Sequence, residues 1–334
     1  MKPVNTSVAI ITRNREMRRI IQSVNKIANT TSTVLLIGET GVGKEIFAEY
    51  IHKASRRHSR PLVRVSLSSI PHELLSSELF GYEKGAFTGA GESKKGLLEV
   101  AHTGTIFLDD IDDVPLDMQV KLLRFLENME FMRVGGIKHI HVDVRVISAS
   151  KVPLKILVRQ KSFREDLYYR LNVVPVIIPP LRERIDDIPL LIEHFLKHYA
   201  PEKSLRILPD ALNALLSYSW PGNVRELRNV IHRVSLFADK GITMDELPHE
   251  IRHSDAGETL VKSCRDCFVY SHVRFNDVVS CLEKTLIRLA MKNSHNNQSK
   301  AARLLGLSLS TFRDKAKKYS IVTPDHHRNF VLSN

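Results

Sequence analysis

Short, wholly apolar runs alternate with amphipathic stretches over the first half of the chain. Val34-Leu35-Leu36-Ile37 ends at a glycine and reads as a buried strand, and similar runs fall at 62–65, 105–108 and 142–149. Helical patterns lie between them. Met17, Ile20, Ile21, Val24 and Ile27 recur at helical spacing, a second helix is expected from about Gly43 to Ser55, and a third over 116–129. Strands alternating with helices predict an α/β fold, a doubly wound parallel sheet covered on both faces. After Pro179-Pro180 the pattern changes. Segments 186–199, 209–218 and 223–238 read as amphipathic helices with no strand between them, which suggests a small helical subdomain. Residues 251–274 lose periodicity and read as a linker, and helices return from about 276 to 319. No internal repeat or low-complexity tract is evident.

The first apolar run delivers the chain into Gly38-Glu39-Thr40-Gly41-Val42-Gly43-Lys44, a GxxxxGK pattern between a strand and a helix. Glycines let successive backbone N–H groups converge on phosphates, and the helix N-terminus adds positive potential. Lys44 can then reach the β- and γ-phosphates of ATP. Glu45 follows, where most such loops place a hydroxyl on magnesium, so either Glu45 holds the metal's water shell or another group does. Asp109 is the candidate Mg2+ ligand, at the end of the strand Thr105-Ile106-Phe107-Leu108. An apolar strand delivering a carboxylate to the sheet edge is the Walker B arrangement, and Asp110 would orient or deprotonate the attacking water. Between these two motifs sits Gly85-Ala86-Phe87-Thr88-Gly89-Ala90. It has too little apolar bulk to hold a core, and reads as a mobile loop that touches a partner with one aromatic tip.

With these pieces in place, the chain resembles the bacterial enhancer-binding AAA+ activators of sigma-54 RNA polymerase. The matching stretches are GETGVGKE at 38–45, ELFGYEKGAFTGA at 78–90, GTIFLDDI at 104–111, FREDLYYRLNV at 163–173, PPLRER at 179–184 and WPGNVREL at 220–227. Glu45 is normal in that family. The resemblance covers about residues 7–250, and the end of the chain resembles the Fis-type helix-turn-helix attached to those activators. It implies an AAA+ α/β subdomain over 7–178, a helical lid over 179–250, a linker over 251–275 and a DNA-binding domain over 276–322. It further implies an ATP-driven ring, a homo- or hetero-hexamer, that remodels a closed promoter complex from an enhancer on double-stranded DNA. By motif position Arg164 and Arg170 are arginine fingers directed at a neighbour's γ-phosphate, with pairing to Glu165 or Asp166 as the structural alternative. Arg225 is the sensor II arginine, Trp220-Pro221-Gly222-Asn223 supplies a turn and an N-cap ahead of its helix, and Gly85–Ala90 is the sigma-54 contact. With no receiver or sensory domain ahead of residue 7, the chain is most similar to the short members, such as the phage-shock activator and regulators of type III secretion genes. Control is then expected from a regulatory protein in trans or from the chain's own abundance.

Departures from the family pattern gather at its switch. Asp110 stands where the family has Glu, Ser66 where an Asn senses that Glu, and Ala149-Ser150-Lys151 where sensor I ends Ala-Thr-Asn. Thr12 and Asn14 replace the usual Gly and Ser near the start. Asp is one methylene shorter than Glu, and a misplacement of about 1 Å costs ~10²-fold in rate. Ser66 is also shorter than Asn, so the two changes do not offset each other. A slow ATPase, or one helped by a partner subunit, is the expectation. A DNA-binding regulator whose ATP-binding core hydrolyses weakly is the alternative.

Charge changes the picture at the other end. The 334 residues carry a net charge of +12, which favours an anionic partner. Lys300, Arg303, Arg313, Lys315, Lys317 and Lys318 gather against Asp314 alone. A helix over 281–293, a second helix, the Gly306 turn and a last helix over about 309–319 have helix-turn-helix spacing. Ser308 or Ser310 can cap the last helix. Thr311 and Arg313 are the base-reading candidates, while Lys315, Lys317 and Lys318 are expected on phosphates. Cys264, Cys267 and Cys281 cannot pair evenly and fit a reduced, cytoplasmic setting; Cys264 and Cys267 read as plain linker thiols. No apolar run approaches the ~18–20 residues that span a bilayer, and the start of the chain has no secretory signal.

Overall fold

The computed structural model describes residues 9–203, 205–238, 241–252, 275–294, 296–319 and 321. Cys264 and Cys267, and the expected linker from residue 253 to 274, lie outside the described residues. Met1–Arg252 form one compact unit and His253–Asn334 a second.

Five parallel strands build the central sheet of the first unit: β1 (Val34–Ile37), β2 (Leu62–Ser66), β3 (Thr105–Asp109), β4 (Arg145–Ser150) and β5 (Val174–Ile177). Their order is β2-β3-β4-β1-β5. Leu35, Ile106, Leu108 and Val146 face one core, while Val34, Leu36, Phe107 and Ile147 face another. A strand buried on both sides needs an apolar residue at every position, which is why these runs do not alternate. The edges are marked chemically. Arg64 is exposed on β2, and Pro175, which cannot donate to a ladder, lies in β5. Register sets Ser66 beside Asp109, and Leu36 and Ile37 beside Ala149 and Ser150. All candidate phosphate-site groups of the sheet therefore emerge at its C-terminal edge, where ligands bind such folds.

The lid is helical over Ile188–Tyr199, Pro209–Ser217, Asn223–Phe237 and His249–Arg252. Trp220 is completely buried there, its indole N–H donating to the Leu215 carbonyl at 2.8 Å. Two findings differ from expectation. Arg206–Ile207 pairs in parallel with Gly241–Ile242, a contact too short and too distant in sequence to show as an apolar run. Ile251 is buried in the lid core, so the lid continues to Arg252.

In the second unit, helices Phe275–Asn293, Gln298–Leu304 and Leu309–Lys318 close over Ile287, Met291, Ala301, Ala302 and Phe312. Asn297 caps the middle helix and Ser308 the last, its hydroxyl accepting from the Thr311 N–H at 3.1 Å. Gly306 turns between them at φ +65°. No helix of the described residues is long and apolar enough to cross a membrane.

Candidate active site

The loop Gly38–Gly43 leaves β1 and enters the helix Lys44–Lys53 with Gly41 at φ +82° and Gly43 at φ +106°. Gly41 is required twice over, because a Cβ there would lie 2.3 Å from the Gly222 carbonyl oxygen of the lid. Lys44 is buried, and its ammonium donates to the carbonyls of Gly38 at 2.7 Å and Glu39 at 3.2 Å. Burial pushes its pKa down, opposed by the carboxylates of Asp109, Asp112 and Asp110. Burial likewise pushes the Asp109 carboxyl up from its ordinary range, against a bond from the Asp110 N–H at 3.0 Å. Two opposite charges thus face each other in a partly dehydrated setting. Glu45 lies 3.5 Å from Arg64 on the edge strand.

The lid is tied to the phosphate loop by Arg182, Arg184 and Asn223. Arg182 forks onto the Glu39 carboxylate at 2.6 and 2.8 Å, and this bond holds Glu39 below its usual range. Arg184 is buried and donates to the Val42 carbonyl at 2.8 Å. Asn223, at φ +53°, donates to Glu39 and to the Thr40 carbonyl at 3.1 Å each and accepts from the Leu181 N–H at 2.8 Å. Asn223 is thus the first residue of its helix, and the N-cap expected within Trp220–Asn223 falls one residue earlier. Gly222 occupies the N-cap position, and the Glu226 carboxylate accepts from its N–H at 2.7 Å. Arg225 is adjacent, its N–H reaching the Gly41 carbonyl at 3.3 Å, and its charge acts on Lys44. The altered residues near the start also find partners. The Thr12 hydroxyl donates to the buried Asp187 carboxylate at 2.8 Å, and Asn14 caps the first helix, Arg15–Ile27.

Asp110 adopts a left-handed conformation at φ +55°, ψ +43°. Its carboxylate accepts from the Ser68 hydroxyl at 2.5 Å and from Ser66 only at 3.5 Å. The near partner is thus Ser68, two residues beyond the position chosen from sequence; the serine run at 66–69 was the available signal. Ser68 lies in a short 3-10 turn, Leu67–Ser69, which leads through Pro71 into the helix His72–Phe80. At the position expected for sensor I, the Ser150 hydroxyl closes its own turn on Val152, at 2.5 Å to the carbonyl. Lys151 reaches back to the acidic turn after β3, 2.6 Å from Asp113 and 3.9 Å from the buried Asp112 carboxylate.

The helix His72–Phe80 runs directly into a ribbon, Gly81–Tyr82 paired with Lys94–Lys95, and this ribbon carries Gly85–Ala90. Gly85 N–H donates to the Ala90 carbonyl at 2.9 Å and closes the loop at its base. Phe87 is 45% exposed and packs edge-on against Tyr82, with ring centroids 5.0 Å apart. A second ribbon, Glu130–Met132 with His139–His141, was not singled out from sequence. Its turn abuts the first loop so closely that a Cβ on Gly135 would meet Ala86 at 2.8 Å, and Ile137 beside it is 94% exposed. Arg133 clamps the pair, bonded to Glu99 at 2.8 Å and Glu83 at 3.1 Å.

The two arginines of 163–173 differ. Arg164 is exposed and forks onto Asp166 at 2.8 and 3.1 Å. Arg170 instead donates to the Leu126 carbonyl at 2.8 and 2.9 Å, capping the end of the helix Leu116–Asn128. In the second unit, Lys300, Arg303 and Lys317 are exposed. Arg313 bonds Gln298 at 3.0 Å, the Ser308 hydroxyl meets those of Ser310 and Thr311, and Lys315 pairs with Glu283 at 2.5 Å.

Residues 10–177 match the family described as the sigma-54 interaction domain, 182–263 the AAA+ ATPase lid domain, and 280–319 the Fis family of bacterial regulatory proteins. The chain is 45% identical to the phenol regulator MopR of Acinetobacter guillouiae, over 91% of this chain and 55% of that protein. It is 40% identical to the regulatory protein AtoC of Escherichia coli, over 95% of this chain and 68% of AtoC. It therefore spans between about half and two thirds of these relatives. Among solved structures, NtrX of Brucella abortus in complex with ATP superposes with a TM-score of 0.67 at 33% identity, covering 93% of this chain and 69% of NtrX. The chain belongs to the sigma-54 interaction domain family, with an AAA+ lid and a Fis-family DNA-binding domain following that domain.

Proposed function

We propose that this chain is an ATPase that activates transcription by sigma-54 RNA polymerase from an upstream double-stranded DNA site. The observation that carries the reading is a continuous route from the phosphate site to the loop. Asp110 bonds Ser68, Ser68 lies in the turn before the helix His72–Phe80, and that helix ends at the ribbon bearing Gly85–Ala90. A water held against the γ-phosphate would compete with the Ser68 hydroxyl as donor to Asp110, so nucleotide state biases the helix and with it Phe87 and Thr88.

Gly38–Gly43 and Lys44 bind the phosphates in this scheme, with Arg225 approaching from the lid. No group of three or more His, Cys, Asp or Glu side chains among the described residues forms a metal cage. Asp109 alone fits magnesium, which takes one or two carboxylates plus substrate phosphates and water. Bound there, the ion would neutralise charge developing on the phosphates. Arg164, exposed and held by the exposed Asp166, would exchange that partner for a neighbour's γ-phosphate, which requires a ring, homo- or hetero-hexameric. Hydrolysis is expected to be slow, because Asp110 is short and already engaged by Ser68. The ATP complex of NtrX supports the nucleotide assignment.

ATP-dependent open-complex formation with sigma-54 polymerase tests the reading. The parent is expected to open promoters, and Thr88→Ala to lose opening while retaining ATP binding. Equal opening by both proteins would remove the assigned role of the loop.

A further inference from the structure

A second polar cleft, about 390 Å³ in volume, lies at the N-terminal edge of the sheet, the end away from the phosphate loop. Its floor is Arg145, the first residue of β4, and its walls include Arg56, Arg57, Arg60 and Asp143. Arg145 is 1% exposed. It donates to the carbonyls of Ala28 and Ile27 at the end of the first helix, which occupies that helix terminus. Its Nε has no partner among the described residues, and no carboxylate pairs with it. Burial and the neighbouring Arg57 charge push its pKa down to about 10, the behaviour of a cation set inside the protein without a counter-ion. Asp143 is already taken by Arg57 at 2.6 Å. Arg56 and Arg60 are exposed on the rim with no side-chain partner among the described residues.

Four guanidinium groups thus converge on one cleft against a single carboxylate. A buried charge lacking a partner is costly, and a bound anion relieves that cost. Guanidinium forks match phosphate oxygens bidentately, and the volume falls within the range of small-molecule sites. We propose that this cleft is a second anion site, separate from the ATP site, that takes a small phosphate-bearing molecule on Arg56 and Arg60, with the buried charge of Arg145 beneath it.

Calorimetric titration of the full chain with pyrophosphate tests this, with the ATP site first saturated by a non-hydrolysable ATP analogue. Saturable binding is expected in the parent. The double variant Arg56→Glu/Arg60→Glu should bind about tenfold more weakly or worse, as expected for lost charge-assisted bonds. Neither residue is buried, so folding is expected to survive. Arg18→Glu/Arg19→Glu, equal in charge change but on an exposed helix face, should bind as the parent does. Absence of saturable binding in the parent, or equal weakening in both double variants, would overturn the proposal. The readout is binding, so neither result depends on hydrolysis or on promoter opening.

Discussion

The phosphate end of the sheet and the basic face of the C-terminal unit both gather charge, yet they hold it in opposite ways. At the phosphate end nearly every ionic group is fixed by a named neighbour: Lys44 by two carbonyls, Glu39 by Arg182 and Asn223, Asp110 by Ser68, Lys151 by Asp113. On the C-terminal unit Lys300, Arg303 and Lys317 extend into solvent without side-chain partners among the described residues. The difference follows from the work each surface is suited to. Phosphoryl transfer requires groups held to within a fraction of an ångström. Attraction of a polyanion requires positive potential at a surface, and flexible side chains supply it.

The sharpest way to break the comparison is at Arg164, an exposed arginine proposed to act on a neighbour's γ-phosphate. Arg164→Ala is expected to lower ATP hydrolysis by about 10³-fold or more, the scale of arginine fingers in related enzymes. Its thermal midpoint should stay near the parent's, because a surface ion pair with Asp166 contributes little. Arg170→Ala should lower the midpoint as well, since it uncaps the carbonyls of Leu126 and Glu127. Phosphate release and thermal unfolding on both variants decide the matter. Parental hydrolysis in Arg164→Ala would place the finger elsewhere.

A smaller effect is expected at the switch. Hydrogen bonds to a charged group contribute about 1.5–3 kcal/mol. Ser68→Ala should therefore reduce promoter opening per ATP hydrolysed by about tenfold, while relieving Asp110 and leaving hydrolysis equal or faster. Ser66→Ala, whose hydroxyl is 3.5 Å away, should change opening far less. A larger loss in Ser66→Ala than in Ser68→Ala would return the sensing role to residue 66.

These cases show what could be read from sequence and what could not. Strands buried on both faces leave continuous apolar runs, and a phosphate loop needs glycines at fixed spacing, so β1–β4 and Gly38–Lys44 were legible. Ser68 was only half legible: the serines at 66, 68 and 69 are visible, but the 3-10 turn after β2 that brings Ser68 back beside Asp110 leaves no mark in the spacing. Arg182 and Asn223 were visible only as parts of motifs. Their contact with Glu39 depends on how the lid closes over residues some 140 to 180 positions earlier in the chain. Arg170 looked equivalent to Arg164 because the sequence does not show that the end of the helix Leu116–Asn128 lies beneath it.

The smallest effect separates two lysines that look alike in sequence. Lys317 is exposed and has no side-chain partner among the described residues, whereas Lys315 is held by Glu283, which also accepts from the Tyr319 hydroxyl at 2.5 Å. If Lys317 sits on a DNA phosphate, Lys317→Ala releases one fewer counter-ion on binding. The slope of log affinity against log salt should then become shallower by about 0.9, with a loss of only a few-fold in affinity at low salt. Lys315→Ala should leave that slope unchanged. It should instead lower the thermal midpoint of the C-terminal unit, because Glu283 loses its nearest cation and, among the described residues, keeps Lys318 at 4.0 Å. Salt titrations of binding to enhancer DNA on the two variants separate a side chain that holds DNA from one that holds the fold. Equal slope changes in both would mean that Lys315 leaves Glu283 when DNA binds, and that the basic face holds its charge in reserve.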